Sequence, residues 1–270
     1  MNRITQLFQN HKDTGSSQGL LNVYYTAGFP SLNDTLDILI ALENSGADLV
    51  EIGMPYSDPV ADGETIQMSN DRSLENGMSV KLLFEQLATM REQVTVPVLL
   101  MGYINPVLQY GIEAFCKKCA EIGVDGLILP DMPMDVYLKE YKSIFDLHGI
   151  LNIFLVTPQT SEQRIRQIDA ISEGFIYTVS SASVTGSKSG VSDNMEAYFE
   201  RLNGMKLQNP RLIGFGIKDH ATYSMASKYA EGAIIGSAFI RVLADATDLQ
   251  RDIKYYIKQV KQPNEPVAIG

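Results

Sequence analysis

The sequence predicts a single (β/α)8 barrel, or TIM barrel, with one extra helix at its N-terminus. Its 270 residues are many for an average domain but ordinary for one α/β barrel. Eight short apolar segments alternate with amphipathic helical segments, and most of them lack the in-out alternation of half-exposed strands. Parallel strands covered on both faces have this pattern. No linker-like or low-complexity segment interrupts the order, so one domain over residues 1–270 is expected.

The strands are predicted from short apolar segments bounded by turn residues. In chain order they are Leu21–Thr26, Leu49–Gly53, Val96–Met101, Gly126–Leu129, Ile150–Val156, Phe175–Val179, Arg211–Phe215 and Gly232–Ile235. The alternative architecture is an open doubly wound sheet, in which a G-x-G-x-x-G turn follows the first strand. Here the first strand leads into Thr26-Ala27-Gly28-Phe29-Pro30, which lacks that turn. The barrel is therefore favoured.

The helices are predicted from apolar residues at helical spacing and from capping residues. Ser31 is the expected N-cap of the second helix, with Asp34 three residues later, and Gly46 is placed to end that helix. Ser161 is expected to open a later helix, and Gly149 to follow the one before it. The apolar stripes are Ile4, Leu7, Phe8; Leu32, Leu36, Leu39, Ile40; Val80, Leu83, Phe84, Leu87; Tyr141, Ile144, Phe145; Ile165, Ile168, Ile171; and Leu249, Ile253, Tyr256, Ile257, Val260.

The composition excludes several classes of partner. A formal net charge of −10 and a pI near 4.8 argue against binding nucleic acid or an anionic membrane surface. No apolar run approaches the ~18 residues of a membrane span, and the N-terminus has no signal-peptide hydrophobic stretch. A cytoplasmic protein is expected.

The cysteines and histidines do not predict a metal site. Cys116 and Cys119 form a C-x-x-C, which could be redox-active or half of a metal site, but they share the apolar stripe of a predicted helix. They are therefore expected in the core. The three histidines are far apart and show no ligand spacing.

Glycines after the last two strands suggest a phosphate site. Gly214-Phe215-Gly216 ends the seventh strand, and Gly236-Ser237-Ala238 lies between the eighth strand and a helix. In barrels this region commonly binds phosphate through main-chain N–H groups, so no lysine or arginine is required. Val184-Thr185-Gly186, in a long loop from Ser180 to Ser192, could complete the site. Ordinary turn glycines without a ligand remain the alternative.

Two acids could provide proton chemistry on the opposite side of the barrel mouth. Glu51 lies among apolar residues of the second strand, where burial would raise its pKa, and Asp62 lies in the long loop from Gly53 to Gly77. An exposed turn rich in Asp, Pro and Gly is the alternative interpretation of this loop. Tyr177 ends the sixth strand and is about equally a packed tyrosine or a catalytic one. Asp58 is expected to be a rim residue.

The segment Val50-Glu51-Ile52-Gly53-Met54-Pro55-Tyr56-Ser57-Asp58-Pro59-Val60-Ala61-Asp62-Gly63 resembles the signature of the tryptophan synthase α subunit family. The resemblance extends over the whole chain, including Thr26-x-Gly28-x-Pro30, Leu129-Pro130-Asp131-x-Pro133 and Gly236-Ser237. It implies a lyase of tryptophan biosynthesis that cleaves indole-3-glycerol phosphate to indole and glyceraldehyde 3-phosphate by a retro-aldol step.

The resemblance also implies roles for individual residues. Glu51 would be the acid and base, Asp62 would accept the indole N–H, and Tyr177 would complete the catalytic set. Thr185 would meet Asp62 when a lid closes. The phosphate would be bound by Gly186, Gly216, Gly236 and Ser237, and the indole ring by Tyr24, Met101, Ile128 and Phe215.

A partner is implied as well. In this family a β subunit carries pyridoxal phosphate and condenses the released indole with serine in an α2β2 complex. No cofactor is expected in this chain, whose strands show no lysine pattern suited to pyridoxal phosphate. The implied contact surface includes Pro55, Asp58, Asn105, Pro106 and Pro133.

Two departures from the family pattern leave an alternative open. Ser183 stands where many relatives have glycine, and Ser181 where many have arginine. A catalytically weakened partner that senses ligand and regulates the β subunit is therefore the second hypothesis. A sugar-phosphate isomerase of histidine biosynthesis is less favoured, because such barrels have aspartates after strands one and five, where this chain has Thr26 and Thr157.

Overall fold

The chain forms one closed parallel barrel. A computed structural model describes residues 1–59, 62–180, 193–214 and 216–262. Within these residues the strands are β1 (Leu20–Thr26), β2 (Leu49–Gly53), β3 (Val98–Met101), β4 (Gly126–Ile128), β5 (Leu151–Asn152), β6 (Leu155–Val156), β7 (Ile176–Val179), β8 (Arg211–Gly214) and β9 (Gly232–Ile235). They form one sheet in the order β5-β4-β3-β2-β1-β9-β8-β7-β6.

The barrel closes at the fifth predicted strand, which is split into two short strands rather than continuous. Ile153 N–H donates to the Leu127 carbonyl on the β4 side at 2.9 Å, whereas the Phe154 carbonyl accepts from Tyr177 N–H on the β7 side at 2.9 Å. The segment therefore changes neighbour between two adjacent residues. Because β5 and β6 are the two ends of the sheet order, this change joins the ends and leaves no free edge among the described strands.

The helices surround the barrel. They are α1 (Arg3–Thr14), α2 (Thr35–Asn44), α3 (Glu64–Glu75), α4 (Val80–Gln86), α5 (Ile104–Tyr110), α6 (Ile112–Ile122), α7 (Met134–Val136), α8 (Lys142–His148), α9 (Glu162–Ile171), α10 (Asp193–Gly204), α11 (His220–Ala226), α12 (Ser237–Asp245) and α13 (Leu249–Lys261). A 3-10 turn at Met90–Glu92 precedes β3, and a π-helical turn at Tyr137–Tyr141 joins α7 to α8. No helix of the described part of the chain is long and apolar enough to span a membrane.

The capping residues agree with the sequence in three places and differ in one. Gly46 follows the end of α2 with a φ of 95°, as predicted. The Ser161 side chain accepts from Arg164 N–H at the start of α9, and Gly149 ends α8 with φ 66°, both as predicted. Ser31, however, does not cap α2. That helix begins at Thr35 after Asp34, and the Asp34 carboxylate accepts from Ser31 N–H instead. The interpretation of Ser31 was wrong because the Ser-Asp pair forms a turn that stands before the helix.

Helix α1 closes the amino-terminal end of the barrel. Ile4 is fully buried and Phe8 nearly so, and both belong to the cluster of side chains that fills the barrel interior. The Phe8 and Phe175 ring centroids are 5.6 Å apart. The opposite end, where the strands have their carboxyl termini, remains available for a site.

A second and larger layer of apolar side chains packs between the strands and the outer helices. Cys116 and Cys119 belong to it as predicted, since both thiols are free and buried on the inner face of α6. Burial raises the pKa of both thiols, which keeps them protonated and unreactive. They are core residues.

Candidate active site

A cavity of ≈ 200 Å³ opens at the carboxyl-terminal end of the barrel. Its walls come from six parts of the chain: β1, the loop that follows β2, β3, β7, the turn after β8 and the turn after β9. Seven of the residues predicted from sequence line it, namely Tyr24, Asp62, Met101, Tyr177, Gly216, Gly236 and Ser237. The apolar side chain of Ile234 forms part of the wall between them.

Glu51 lies inside the barrel and points away from solvent. It is completely buried, and its Oε1 atom accepts a hydrogen bond from Nδ2 of Asn22 on β1. Burial raises the pKa of this carboxyl to about 8, although the Asn22 hydrogen bond acts in the opposite direction. At neutral pH the side chain therefore carries a proton. Glu51 does not line the cavity, but it is paired in register with Tyr24, which does.

Asp62 lies on the cavity wall, at the end of the loop that follows β2. Its carboxylate accepts from the Tyr103 hydroxyl at 3.3 Å, and its main-chain carbonyl accepts from the Gln67 amide at 2.7 Å. Partial burial raises the pKa of Asp62, while hydrogen bonds from Tyr103 and Asn70 lower it. The two acids thus have unlike surroundings, as predicted, with Asp62 nearer to water than Glu51.

Two tyrosines of the cavity cover glycines at the ends of strands. A Cβ atom on Gly53 would be 2.1 Å from the Tyr24 hydroxyl oxygen, and one on Gly214 would be 2.5 Å from the Tyr177 ring. Glycine is therefore required at both positions for the phenol rings to lie against the strands inside the barrel. Burial raises the pKa of Tyr177 well above its usual value, so its phenol stays neutral.

The opposite side of the cavity is formed by the turn into α12. Gly236 precedes the helix, and Ser237 and Ala238 are its first residues. The first N–H groups of a helix have no acceptor within that helix, so they can bind an anion.

Two cationic residues that the sequence analysis did not assign also line this side, Lys218 and Arg241. Arg241 additionally donates to the Thr65 hydroxyl at 2.9 Å, which links α12 to α3. The sequence contained a signal for Arg241 at the phosphate site, because Arg241 follows Ser237 by four residues and therefore lies on the same face of the helix.

Four predicted site residues are placed elsewhere or not described. Ile128 is fully buried among the barrel-interior side chains and does not line the cavity. Thr185, Gly186 and Phe215 lie outside the described residues, as do Ser181 and Ser183.

The predicted partner-contact residues lie in the loops that follow β2 and β4 and at the start of α5, which follows β3. Asp58, Asn105 and Pro133 are exposed, and Pro55 and Pro106 are partly exposed. The Asn105 amide donates to the Tyr56 hydroxyl at 3.2 Å, which links the start of α5 to the loop after β2. All five residues surround the same end of the barrel as the cavity.

Comparison with known proteins gives a consistent set of relatives. The family model described as tryptophan synthase alpha chain matches residues 8–268. The tryptophan synthase alpha chain of Flavobacterium johnsoniae is 57% identical over 246 residues, which is 91% of this chain and 95% of the relative. That of Christiangramia forsetii is 53% identical over 97% of this chain and 99% of the relative.

Solved structures agree with these relatives. The crystal structure of the tryptophan synthase alpha chain of Legionella pneumophila superposes with a TM-score of 0.87 at 30% identity and covers 97% of both chains. A chain from the aminoacrylate-bound tryptophan synthase of M. tuberculosis superposes with a TM-score of 0.83 at 26% identity, covering 97% of this chain and 98% of the other.

Proposed function

The chain belongs to the tryptophan synthase alpha chain family, whose reaction is the retro-aldol cleavage of indole-3-glycerol phosphate to indole and glyceraldehyde 3-phosphate, and we propose that the cavity at the carboxyl end of its barrel carries out this reaction. One observation supports this site above all others: a single cavity joins Asp62 to the start of α12, with Glu51 buried beside it.

The phosphate would bind at the turn into α12. Gly236, Ser237 and Ala238 line the cavity at the helix start, where free N–H groups and the helix dipole favour an anion. Lys218 and Arg241 add positive charge to the same wall, which offsets the repulsion expected from a chain of net charge −10.

The indole ring would occupy the apolar part of the cavity between Tyr24, Met101 and Ile234. With the phosphate held at α12, this position would direct the ring nitrogen toward Asp62. The Asp62 carboxylate would accept the N–H and stabilise the positive charge that develops on the ring during cleavage.

Glu51 would perform the proton transfers. Cleavage requires one proton to be added to indole C3 and one to be removed from the hydroxyl that becomes the aldehyde oxygen, and then the carbon–carbon bond between the ring and the side chain breaks. A neutral Glu51 has the first proton available, and the carboxylate left behind is a base for the second. Because Glu51 does not line the cavity, its side chain must rotate toward substrate before it reacts.

The released indole would pass to a β subunit that carries pyridoxal phosphate. Indole is small and apolar, so direct transfer would prevent its loss to solution. The exposed residues Asp58, Asn105 and Pro133 surround the cavity end of the barrel, where a partner could both cover the mouth and receive the product. We propose this end as the partner surface of an α2β2 complex in the cytoplasm.

The proposal is tested by removing each acid in turn. Replacing Glu51 by Gln keeps its shape but removes the transferable proton, so turnover should fall by about 100- to 10 000-fold. The smaller loss expected for Asp62→Asn is about 10- to 100-fold. Indole release from indole-3-glycerol phosphate is measured with and without β subunit, and phosphate-analogue binding controls for an intact site.

A Glu51→Gln variant with full turnover would end the catalytic assignment. Equal and very low turnover of the wild-type chain in both assays would instead favour the weakened ligand-sensing partner.

A further inference from the structure

We propose that Asn22 is a positioning residue for Glu51, and that its carboxamide and the protonated carboxyl form a reciprocal hydrogen-bonded pair inside the barrel. The inference takes Glu51 as the catalytic acid of the function proposed above. It goes further by saying how the proton is held before the substrate arrives. The residue that holds it, Asn22, does not line the substrate cavity.

The two side chains are isolated from water. Asn22 on β1 and Glu51 on β2 are both completely buried in the barrel interior. Asn22 Nδ2 donates to Glu51 Oε1, which accounts for one atom of each group. Asn22 precedes Tyr24 by two residues on the same strand, so the two side chains point to the same side, beneath the cavity.

The remaining two atoms of the pair are both acceptors. Among the described residues, neither Asn22 Oδ1 nor Glu51 Oε2 has a hydrogen-bond partner. A carboxylate offers acceptors alone, whereas a carboxylic acid adds one donor. A single proton on Oε2 supplies the donor that Asn22 Oδ1 lacks, and it completes a second hydrogen bond antiparallel to the first. One proton thus satisfies both atoms.

The charges around the pair also favour the neutral acid. Burial raises the pKa of Glu51 to about 8. The ionisable groups that interact electrostatically with it are the phenols of Tyr24 on β1 and Tyr177 on β7, and burial raises the pKa of both well above neutrality. Asp62, from the loop after β2, acts on the same two phenols and adds negative charge to this end of the barrel. The shift in the pKa of Glu51 comes from burial, which raises it, and from the Asn22 hydrogen bond, which lowers it.

The pair explains how the acid can be both stable and available. In the resting protein the proton lies between Glu51 and Asn22, away from the cavity and from water. Rotation of Glu51 toward the substrate breaks both hydrogen bonds together and delivers the proton. When the deprotonated Glu51 side chain returns to Asn22, it has no proton to donate to Asn22 Oδ1. The hydrogen bond to Oδ1 is therefore missing, which favours the uptake of a new proton by Glu51.

The test measures unfolding by urea between pH 5 and pH 9, and it does not depend on turnover. The folded pKa of Glu51 is above its unfolded value of 4.5, so the folded protein binds the extra proton and loses stability as pH rises from 4.5 to about 8. The glutamine of Glu51→Gln carries a permanent N–H donor in place of the acid proton. The ratio of unfolding constants, wild type over Glu51→Gln, should therefore rise about tenfold per pH unit up to about pH 8.

The role of Asn22 is tested in the same experiment with Asn22→Leu, which has a similar branched shape without polar atoms. At pH 5 the protonated glutamate offers the same donor and acceptor as the glutamine of Glu51→Gln. Asn22→Leu should therefore raise the unfolding constant by the same factor, about 10-fold or more, in the wild-type and the Glu51→Gln background. The matched control is Asn152→Leu. Asn152 is also buried, and its Oδ1 is also unpaired among the described residues. The increase in the unfolding constant caused by Asn152→Leu should not depend on the residue at position 51 or on pH in this range.

Two results would overturn the inference. If the ratio of the unfolding constants of wild type and Glu51→Gln stays constant from pH 5 to pH 8, Glu51 is ionised in the folded protein. A smaller cost of Asn22→Leu in the wild type than in Glu51→Gln at pH 5 would show that only one hydrogen bond is made. If Asn22→Leu does not fold, infrared spectra of wild type and Glu51→Gln decide. A protonated-carboxyl band that is absent from the variant and titrates near pH 8 supports the pair, and no such band at pH 6 excludes it.

Discussion

Glu51 and Asp62 are chemically similar acids that receive different properties from their surroundings. Glu51 is enclosed by the barrel and retains its proton at neutral pH, because burial outweighs the single hydrogen bond from Asn22. Asp62 accepts from Tyr103 and Asn70 at the cavity wall; partial burial raises its pKa, and these two hydrogen bonds lower it. In the proposed mechanism, the same end of the barrel thereby holds a proton donor and a charge stabiliser.

This difference predicts a bell-shaped dependence of turnover on pH. Proton donation by Glu51 requires its neutral form, so kcat/KM should fall above about pH 8. Stabilisation by Asp62 requires its ionised form, so the rate should also fall on the acid side, at a pH above the usual range for an aspartate. Rates of indole release from about pH 5 to about pH 10 provide the measurement. Asp62→Asn should lose the fall in kcat/KM on the acid side and keep the fall on the alkaline side. If the wild type shows no fall on the alkaline side, the assignment of Glu51 is contradicted.

A second prediction concerns the close packing of Gly53 against the Tyr24 side chain. An added methyl group would lie 2.1 Å from the Tyr24 hydroxyl, so Gly53→Ala must displace that ring into the cavity. We expect a loss of about 1–3 kcal/mol in the free energy of unfolding. Turnover should also fall, by about 100-fold, because the indole position is disturbed.

Gly204→Ala is the control for this substitution. Gly204 ends α10, and a methyl group there would meet nothing within 4 Å. Urea unfolding and indole release for both variants give the comparison. Normal activity of Gly53→Ala would show that Tyr24 can move without affecting the site.

The sequence predicted some residues of the site and not others, for physical reasons. Glu51 was identifiable because a glutamate within an apolar strand is costly to bury without a special role. Asn22 carried no such signal, since its partner is 29 positions away and becomes adjacent only when β1 pairs with β2. Lys218 and Arg241 were not expected, because main-chain amides alone are sufficient for a phosphate.

At the scale of elements, the sequence located every strand of the described residues but did not reveal how the barrel closes. The apolar run from Ile150 to Val156 has the composition of one continuous strand. The interruption between Ile153 and Phe154 arises from hydrogen bonding to two different neighbours, β4 and β7. Such a change depends on strands far apart in the chain, so no local pattern encodes it.

The attachment of α1 depends on a buried carboxylate that can be tested directly. Asp125 accepts from Arg3 at 2.9 Å, Arg91 at 2.6 Å and the main-chain N–H of Val98 at 2.9 Å. Asp125→Ala leaves these donors without their acceptor, so the free energy of unfolding should fall by about 3 kcal/mol. Chemical denaturation measures the change.

Glu75→Ala is the control for this ion pair. Glu75 forms an exposed pair with Arg72 at 3.4 Å, and removing it should cost less than about 0.5 kcal/mol. Similar losses for the two variants would show that the enclosed position of Asp125 adds nothing to stability.

At the scale of the whole molecule, the two ends of the barrel are built differently. The amino-terminal end is filled by α1 and the interior side chains, and the carboxyl-terminal end holds the cavity and the exposed loops of the proposed partner surface. The predicted order of strands and helices already implied this division, because barrel sites are built from the loops that follow strands. The shape of the cavity could not be predicted from the sequence. The residues that line it are spread from position 24 to position 241 and come together only in the folded chain.

The position of α1 has a consequence for synthesis of the chain on the ribosome. Asn2 donates to the carbonyl groups of Asp125 at 2.8 Å and Gly149 at 3.1 Å, and Phe8 packs on Phe175. The contacts of α1 therefore come from residues that lie more than 100 positions later in the chain, so its apolar side stays uncovered until those residues have been synthesised. During that interval Ile4 and Phe8, which are buried in the folded barrel, remain exposed.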